Sequence, residues 1–157
     1  MEFTDTERLI LANQYEILGK LNSDEDYLKL AENLKDGHEW IYNQKFFMSP
    51  IFDKEKSNFV VDILDLYRAL QRSYDDLTIK GSLNESKVKF PGFDGNNEGE
   101  YKRFVSALVE NGQFDCLRAD TNSHTQKVVI YQNMLDKWKV LGREQSLSLQ
   151  DMEAILN

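Results

Sequence analysis

The sequence predicts an all-α protein of six or seven helices, and three observations carry this prediction. Apolar residues recur at three- and four-residue spacing through most of the chain, which is the pattern of amphipathic helices. Only two prolines and eight glycines occur among 157 residues, which excludes a collagen-like or linker-dominated chain. Thr4 with Glu7, and Ser148 with Asp151, have the spacing of helix N-terminal capping boxes. The helices are expected in one domain or in two small helical subdomains.

The first two helices are predicted at residues 4–21 and 23–37. The first has an apolar stripe made of Ile10, Leu11, Tyr15, Ile17, Leu18 and Leu21. At about 100° per residue, Gln14 falls near the middle of that stripe. Its amide is either satisfied inside the core or makes a polar contact in a pocket or at a subunit seam, because an unpaired buried amide is costly.

An aromatic segment follows at residues 38–52, and Pro50 must break any helix there. It contains Trp40, Phe47 and Phe52. Packing at a corner between helices is the default explanation. An exposed patch for a partner is the alternative, and these three aromatics are therefore one candidate interface.

The strongest helix is predicted at about residues 55–78, followed by an irregular connection at residues 79–95. That connection contains glycines, a Pro91-Gly92 turn signal and a short piece in which Val88, Phe90 and Phe93 alternate. The charge also differs across it, since residues 1–78 carry a net of −7 and residues 79–157 a net of −1. Subdomains 1–78 and 96–157 are therefore suggested.

Three more helices are predicted in the rest of the chain. One runs over about residues 97–111 with Asp94 as its N-cap, one over about 125–141, and a short one begins at Ser148. The helix at 125–141 carries Tyr131, Met134 and Trp138 on its apolar side. These side chains form a second candidate interface.

The composition excludes several classes of site. A net charge of −8 repels phosphate backbones and disfavours nucleic-acid binding. One cysteine and two histidines can form neither an internal disulfide nor a four-ligand Cys/His zinc site. No signal peptide pattern and no membrane-spanning apolar run are recognised, and a lone cysteine fits a reducing compartment. We expect a cytoplasmic protein that does not enter the membrane.

Two segments resemble functional motifs without completing them. Residues 94–100 place oxygen donors as a calcium loop does, but Val105 stands where the loop needs a bidentate glutamate. Cys116, Asp120 and His124 share one loop, with no motif for an oxyanion hole. No phosphate-binding glycine loop is present. The sequence thus predicts no catalytic residue, no metal site and no cofactor.

Several strings together resemble the YfbU family of small bacterial proteins, and they span nearly the whole chain. They are residues 8–15 (RLILANQY), 61–70 (VDILDLYRAL), 92–94 (GFD) and 131–135 (YQNML) with Trp138. The resemblance implies a single YfbU-like, multihelical, cytoplasmic domain over residues 1–157. It implies no reaction, so no functional residue is carried over.

The leading hypothesis for function is a non-enzymatic interaction module that forms a homo-oligomer, with no protein partner identified. It rests on the lack of a catalytic constellation and on the 11% aromatic content. The first alternative is a nucleic-acid-linked regulator with a local basic patch at Lys137, Lys139 and Arg143. The second alternative is an enzyme with a polar pocket between helices. Its candidate residues are Gln14, Asp62 and Tyr67.

Overall fold

The computed structural model describes residues 2–120 and 122–157, and it has eight helices in these two ranges. They are α1 (Asp5–Asn22), α2 (Glu25–Lys35), α3 (Glu39–Asn43), α4 (Lys54–Asp76), α5 (Glu85–Val88), α6 (Gly99–Glu110), α7 (Val128–Val140) and α8 (Leu149–Leu156). No strand occurs in the same ranges, and one isolated parallel bridge joins Phe90 to Ala119. The all-α prediction is confirmed, with one helix more than expected.

The chain divides into two compact units, Met1–Ile51 and Phe52–Asn157. The sequence pointed instead to residues 79–95 as the connection between subdomains. In the structure this segment lies inside the second unit, because Phe90 and Phe93 are fully buried in its core. Its turn residues therefore shape a partly buried connection between α4 and α6, which we call the buried crossing.

The ends of the first two helices follow from local capping. Thr4 Oγ1 accepts the Glu7 N–H at 3.3 Å, and Glu7 Oε2 accepts the Thr4 N–H at 2.8 Å, which is the predicted capping box. The chain then reverses through Ser23, whose φ is 54°, in the left-handed region. Asp24 begins α2 by accepting the N–H groups of Asp26 and Tyr27.

Small residues allow α1 to lie close against α2. Ala12 is fully buried, and Gly19 is buried one heptad later on the same side of α1. A Cβ built on Gly19 would lie 2.7 Å from Leu28 Cδ2 and 3.1 Å from the Asp24 carbonyl oxygen. The small core of this unit has four buried members, which are Ala12, Leu30, Leu34 and Tyr42.

We expect Gly19→Ala to destabilise the first unit by about 1 kcal/mol. The overlap with Leu28 costs about 1–3 kcal/mol, and the better helix propensity of alanine returns about 1 kcal/mol. Urea unfolding followed by circular dichroism measures the change. Glu32→Ala at an exposed position of α2 is the control, since only a small propensity gain applies there. A midpoint raised equally by both substitutions would contradict the close contact.

The second unit is built around α4, which packs against α5, α6 and α7, while α7 also packs against α8. Four aromatic rings meet in its core, with centroids 5.2–5.9 Å apart along the contacting pairs. They belong to Tyr67, Phe90, Phe93 and Tyr131. The Tyr131 hydroxyl donates to the Gly92 carbonyl at 2.6 Å, so the phenol is satisfied without leaving the core.

A buried glutamine holds the non-helical part of this core. Gln71 of α4 donates to the carbonyls of Val88 at 3.1 Å and Arg118 at 2.8 Å, and its Oε1 accepts the Arg118 N–H at 2.8 Å. Phe90 adds backbone hydrogen bonds to Arg118 and Asp120. All of these amide groups are paired, so the two extended segments are held against α4 without forming a sheet.

Candidate interaction surface

The first unit exposes an unusual amount of apolar side chain for its size. Among the described residues, ten large apolar side chains are exposed in Met1–Ile51, against five in Phe52–Asn157. The core cluster of the first unit has only four members. Scattered exposed apolar residues are ordinary, but a concentration of them marks a surface that contacts something.

Half of these exposed side chains lie on one side of α1, which we call the outer face of α1. It consists of Leu9, Ile10, Asn13, Gln14, Ile17, Leu18 and Leu21, all exposed. At about 100° per residue, these positions span about half of the helix circumference, and Ile10, Gln14, Ile17 and Leu21 lie farthest from Ala12 and Gly19. The helix therefore has two apolar sides, one covered by α2 and one uncovered.

The outer face of α1 has the spacing of a helix-pairing seam. Ile10, Gln14, Ile17 and Leu21 follow one another by four, three and four residues, which is the heptad pattern. The stripe extends over about 16 Å at 1.5 Å per residue. None of the seven residues of the face is charged, but Glu7 lies one heptad before Gln14 and Lys20 one heptad after Asn13, so both charges border the apolar residues.

The charges beside this face are paired. Glu16 forms ion pairs with Lys20 and Lys35. The hydrogen bond from Lys20, followed by that from Lys35, lowers the pKa of the Glu16 carboxyl to about 2. Glu16 is therefore ionised at physiological pH, and this flank of the outer face carries one carboxylate against two lysines.

The predicted aromatic interface at residues 38–52 is only partly at the surface. Trp40 and Phe47 are exposed by 80% and 88% of their area. Phe52 is half-buried instead, with its ring 4.8 Å from that of Phe104 and 5.7 Å from that of Tyr101. The packing explanation therefore applies to Phe52, which lies inside the second unit. The exposed-patch explanation applies to Trp40 and Phe47, which face outward.

The second predicted interface is corrected by the structure. Tyr131, Met134 and Trp138 are buried in the core of the second unit, and the Trp138 Nε1–H donates to the Glu144 carbonyl at 2.9 Å. These side chains cannot contact a partner while the unit is folded. Their periodicity was correctly assigned to an apolar side of the helix, but that side faces α4 and α8.

The three residues of the predicted polar pocket belong to two different units. Gln14 is exposed on α1 in the first unit. Asp62 pairs with both terminal nitrogens of Arg143, at 3.0 and 2.7 Å. Tyr67 lies in the core, and its burial raises the pKa of the phenol, so it stays neutral.

Two of the three residues in the predicted basic patch are neutralised. Lys139 pairs with Asp136 at 3.1 Å, and Arg143 pairs with Asp62 at 2.7 Å. Lys137 forms no ion pair with the described part of the chain. A single unpaired cation on an acidic protein attracts a phosphate backbone weakly.

The loop carrying Cys116, Asp120 and His124 does not form a catalytic arrangement. Asp120 is held by Lys89, and no hydrogen bond joins the three side chains to one another within residues 2–120 and 122–157. Cys116 is exposed and free. A cysteine nucleophile requires an adjacent base, which is missing from this geometry.

The segment that resembles a calcium loop forms a tight turn instead. Asp94 accepts the Asn96 N–H at 3.1 Å and a hydrogen bond from the Asn97 side chain. These two bonds, the Asn97 bond foremost, lower the pKa of the Asp94 carboxyl. The prediction that Asp94 is the N-cap of α6 was wrong by four residues, since Glu98 occupies that position. No group of three or more potential metal ligands occurs in the described part of the chain.

Sequence reasoning missed two features of the surface. It placed Gln14 correctly within an apolar stripe, but it did not decide which side of α1 is covered. A signal was present, because Ala12 and Gly19 are small and seven residues apart, and small residues mark the side of a helix that approaches a neighbour. It also left Leu9 and Asn13 out of the face.

No helix within residues 2–120 and 122–157 has the length and apolar character required to cross a membrane.

The family model described as the YfbU domain matches residues 1–157. The chain is 31% identical to the UPF0304 protein MS2240 of Mannheimia succiniciproducens and 30% identical to the UPF0304 protein PM1500 of Pasteurella multocida. Each comparison covers 100% of this chain and 99% of the relative. The fold and these similarities together place the chain in the YfbU family.

Proposed function

We propose that this protein is a non-enzymatic, cytoplasmic interaction module that self-associates through the outer face of α1. The observation that carries the proposal is this heptad-spaced, mainly apolar face on a helix whose other side is already packed. Exposing such a face to water is unfavourable, and covering it with a second helix removes that cost. The exposed free Cys116 fits a reducing compartment.

Gln14 favours a second copy of the chain as the occupant. In a parallel pair of identical helices each residue of the seam meets its own copy, so Gln14 meets Gln14. A primary amide has two donors and an acceptor, so two of them hydrogen-bond to each other. An antiparallel pair would place Gln14 opposite an apolar residue such as Ile17 and leave the amide unpaired.

The size of the face predicts a weak, reversible dimer. Fully burying a large aliphatic side chain removes about 60–120 Å² of area, by the usual conversion of its transfer energy. The five aliphatic side chains of the face are each 41–75% exposed. The apolar area is therefore roughly 170–340 Å² per copy, below the about 800 Å² of a standard interface. We expect concentration-dependent association in the micromolar range.

Ile17→Asp is expected to abolish this dimer while leaving the fold intact. Ile17 is exposed, so the aspartate is hydrated in the monomer but would be buried at the centre of the seam in the dimer. Light scattering coupled to size-exclusion chromatography should give 18.3 kDa at every concentration for the variant. The unmodified chain should rise towards twice that mass as concentration increases.

Val129→Asp is the matched control, because Val129 is 74% exposed on the second unit. It should leave the dimer unchanged. Gln14→Glu should weaken the dimer at neutral pH and less so in acid, since two carboxylates would meet, whereas Gln14→Leu should preserve or strengthen it. A strict monomer at all concentrations would refute the proposal. The proposal would also be refuted if Ile17→Asp lowered the melting temperature without changing the mass. That result would mean that the face is covered within one chain.

Neither alternative function gains support from the geometry. A nucleic-acid role would depend on Lys137, because Lys139 and Arg143 are engaged by carboxylates. Absence of duplex DNA binding at low salt would end that hypothesis. An enzyme built on Gln14, Asp62 and Tyr67 would need free polar groups, but Asp62 is paired with Arg143 and Tyr67 is buried in the core of the second unit.

A further inference from the structure

A cavity of about 360 Å³ lies in the second unit, along α6. Its size falls within the roughly 300–1,000 Å³ typical of small-molecule sites. The walls are mostly apolar and come from α4, the buried crossing, α6 and the segment after α6. They include Leu64, Phe90, Phe93, Val105, Phe114 and Leu117.

The cavity leaves α6 incompletely packed. This twelve-residue helix has no fully buried residue, although Val105 and Leu108 belong to its apolar side. A ligand site requires unfilled apolar space, and the half-buried α6 lies beside such a space.

Phe114 at the cavity wall has an unusual backbone. Its φ is 61°, a left-handed conformation that a non-glycine residue adopts at a cost. The Arg68 guanidinium lies 5.4 Å from the centre of its ring. The fold therefore holds this aromatic ring at the wall of the cavity despite an unfavourable backbone.

The charged residues that line the cavity are mostly acidic. They are Lys102, Glu110, Asp115 and Asp120. Asp120 is already paired with Lys89, whereas Glu110 and Asp115 form no ion pair with the described residues. Two unpaired carboxylates against the single Lys102 leave a net negative charge, which favours a cationic group on a ligand.

We propose that the second unit binds a small amphiphile with an apolar body and an ammonium head. The apolar body fills the space between α6 and the partly exposed side chains of Phe114 and Leu117. The ammonium group lies at Glu110 and Asp115. This binding is separate from self-association, because its residues all belong to the second unit.

Calorimetric titration of the full-length protein with octylammonium, octan-1-ol and octanoate tests the proposal, since these probes differ only in the head group. Octylammonium should bind saturably at one site, about three- to tenfold tighter than the alcohol, as expected for partly exposed ion pairs. Octanoate should bind more weakly than the alcohol. The double variant Glu110→Gln with Asp115→Asn should abolish the preference for the ammonium probe.

Two further variants complete the experiment. Val105→Trp should fill the cavity and weaken all three probes, with folding checked by circular dichroism. Asp76→Asn with Glu144→Gln changes the net charge equally at exposed positions that do not line the cavity, and it should leave all affinities unchanged. Equal affinities for the three probes, tightest binding of octanoate, or no saturable binding would overturn the proposal. The proposal would also be overturned if the double variant still bound octylammonium more tightly than the alcohol. This test holds even if Val105→Trp fails to fold.

Discussion

Replacing Trp138 by aspartate is expected to unfold the second unit. Trp138 is 2% exposed, and its indole N–H is paired with the Glu144 carbonyl. Removing an indole from a core costs about 3–5 kcal/mol, and burying a carboxylate without a partner adds several more. The sum approaches the whole stability of a typical domain, about 5–15 kcal/mol.

Near-ultraviolet circular dichroism and the dispersion of amide signals in NMR spectra measure this loss, since both report fixed side-chain packing. Val140→Asp on the same helix is the matched control, because Val140 is 87% exposed. It should change the melting temperature little. A folded Trp138→Asp protein with reduced oligomeric mass would show instead that this tryptophan lies at a subunit interface.

Replacing Glu98 by alanine is expected to cost the second unit about 3–5 kcal/mol. Glu98 is 6% exposed, and its Oε1 accepts the N–H groups of Lys127 at 2.7 Å and Val128 at 2.8 Å. Its Oε2 accepts the Asp94 N–H at 3.1 Å. The carboxylate therefore caps the start of α7 from a different helix, where Lys127 provides no side-chain cap of its own.

The expected cost has two sources. The buried Asp94 N–H left unpaired costs about 1–3 kcal/mol, and removing a negative charge from the N-terminus of α7 costs up to about 2 kcal/mol. The N–H groups of Lys127 and Val128 are only partly buried, so water can replace part of their lost bonds. For a unit of this length, such a loss should lower the melting temperature by roughly 10 °C or more. Differential scanning calorimetry measures it directly.

Glu100→Ala is the control for Glu98→Ala. Glu100 is an exposed neighbour on α6 paired with Lys56 at 2.6 Å, and an exposed ion pair contributes at most about 1 kcal/mol. Glu98→Gln should be intermediate, because the amide keeps one acceptor oxygen but turns a donor towards another N–H. Equal melting temperatures for the Glu98 and Glu100 alanine variants would show that Glu98 does not support α7.

The helices themselves could be predicted from the sequence. The strongest predicted helix, residues 55–78, corresponds to α4 (Lys54–Asp76), and the capping boxes at Thr4 and Ser148 begin α1 and α8. These features depend on interactions within about four residues, namely side-chain periodicity and caps. The family could also be recognised from local sequence, since most of the short segments that resemble the YfbU family lie within helices.

The sites depended on the tertiary structure. The apolar residues of α1 and α7 have the same kind of spacing, yet the stripe with Ile17 stays exposed while Trp138 is buried. Periodicity shows that a helix has an apolar side, but only its neighbours decide whether that side is covered. The capping of α7 by Glu98 could not be predicted from the sequence either, because its partners at Lys127 and Val128 lie about thirty residues away.

The sequence by itself therefore determined the helices, their starts and the family, all of which follow from local spacing and short motifs. Only the tertiary structure decided that the chain divides after Ile51, that Tyr131 and Trp138 are core residues, and that α6 borders a cavity. The physical reason is that covering an apolar surface and closing a cavity depend on contacts between residues distant in the chain. Such contacts leave no periodic signal in the segments that make them.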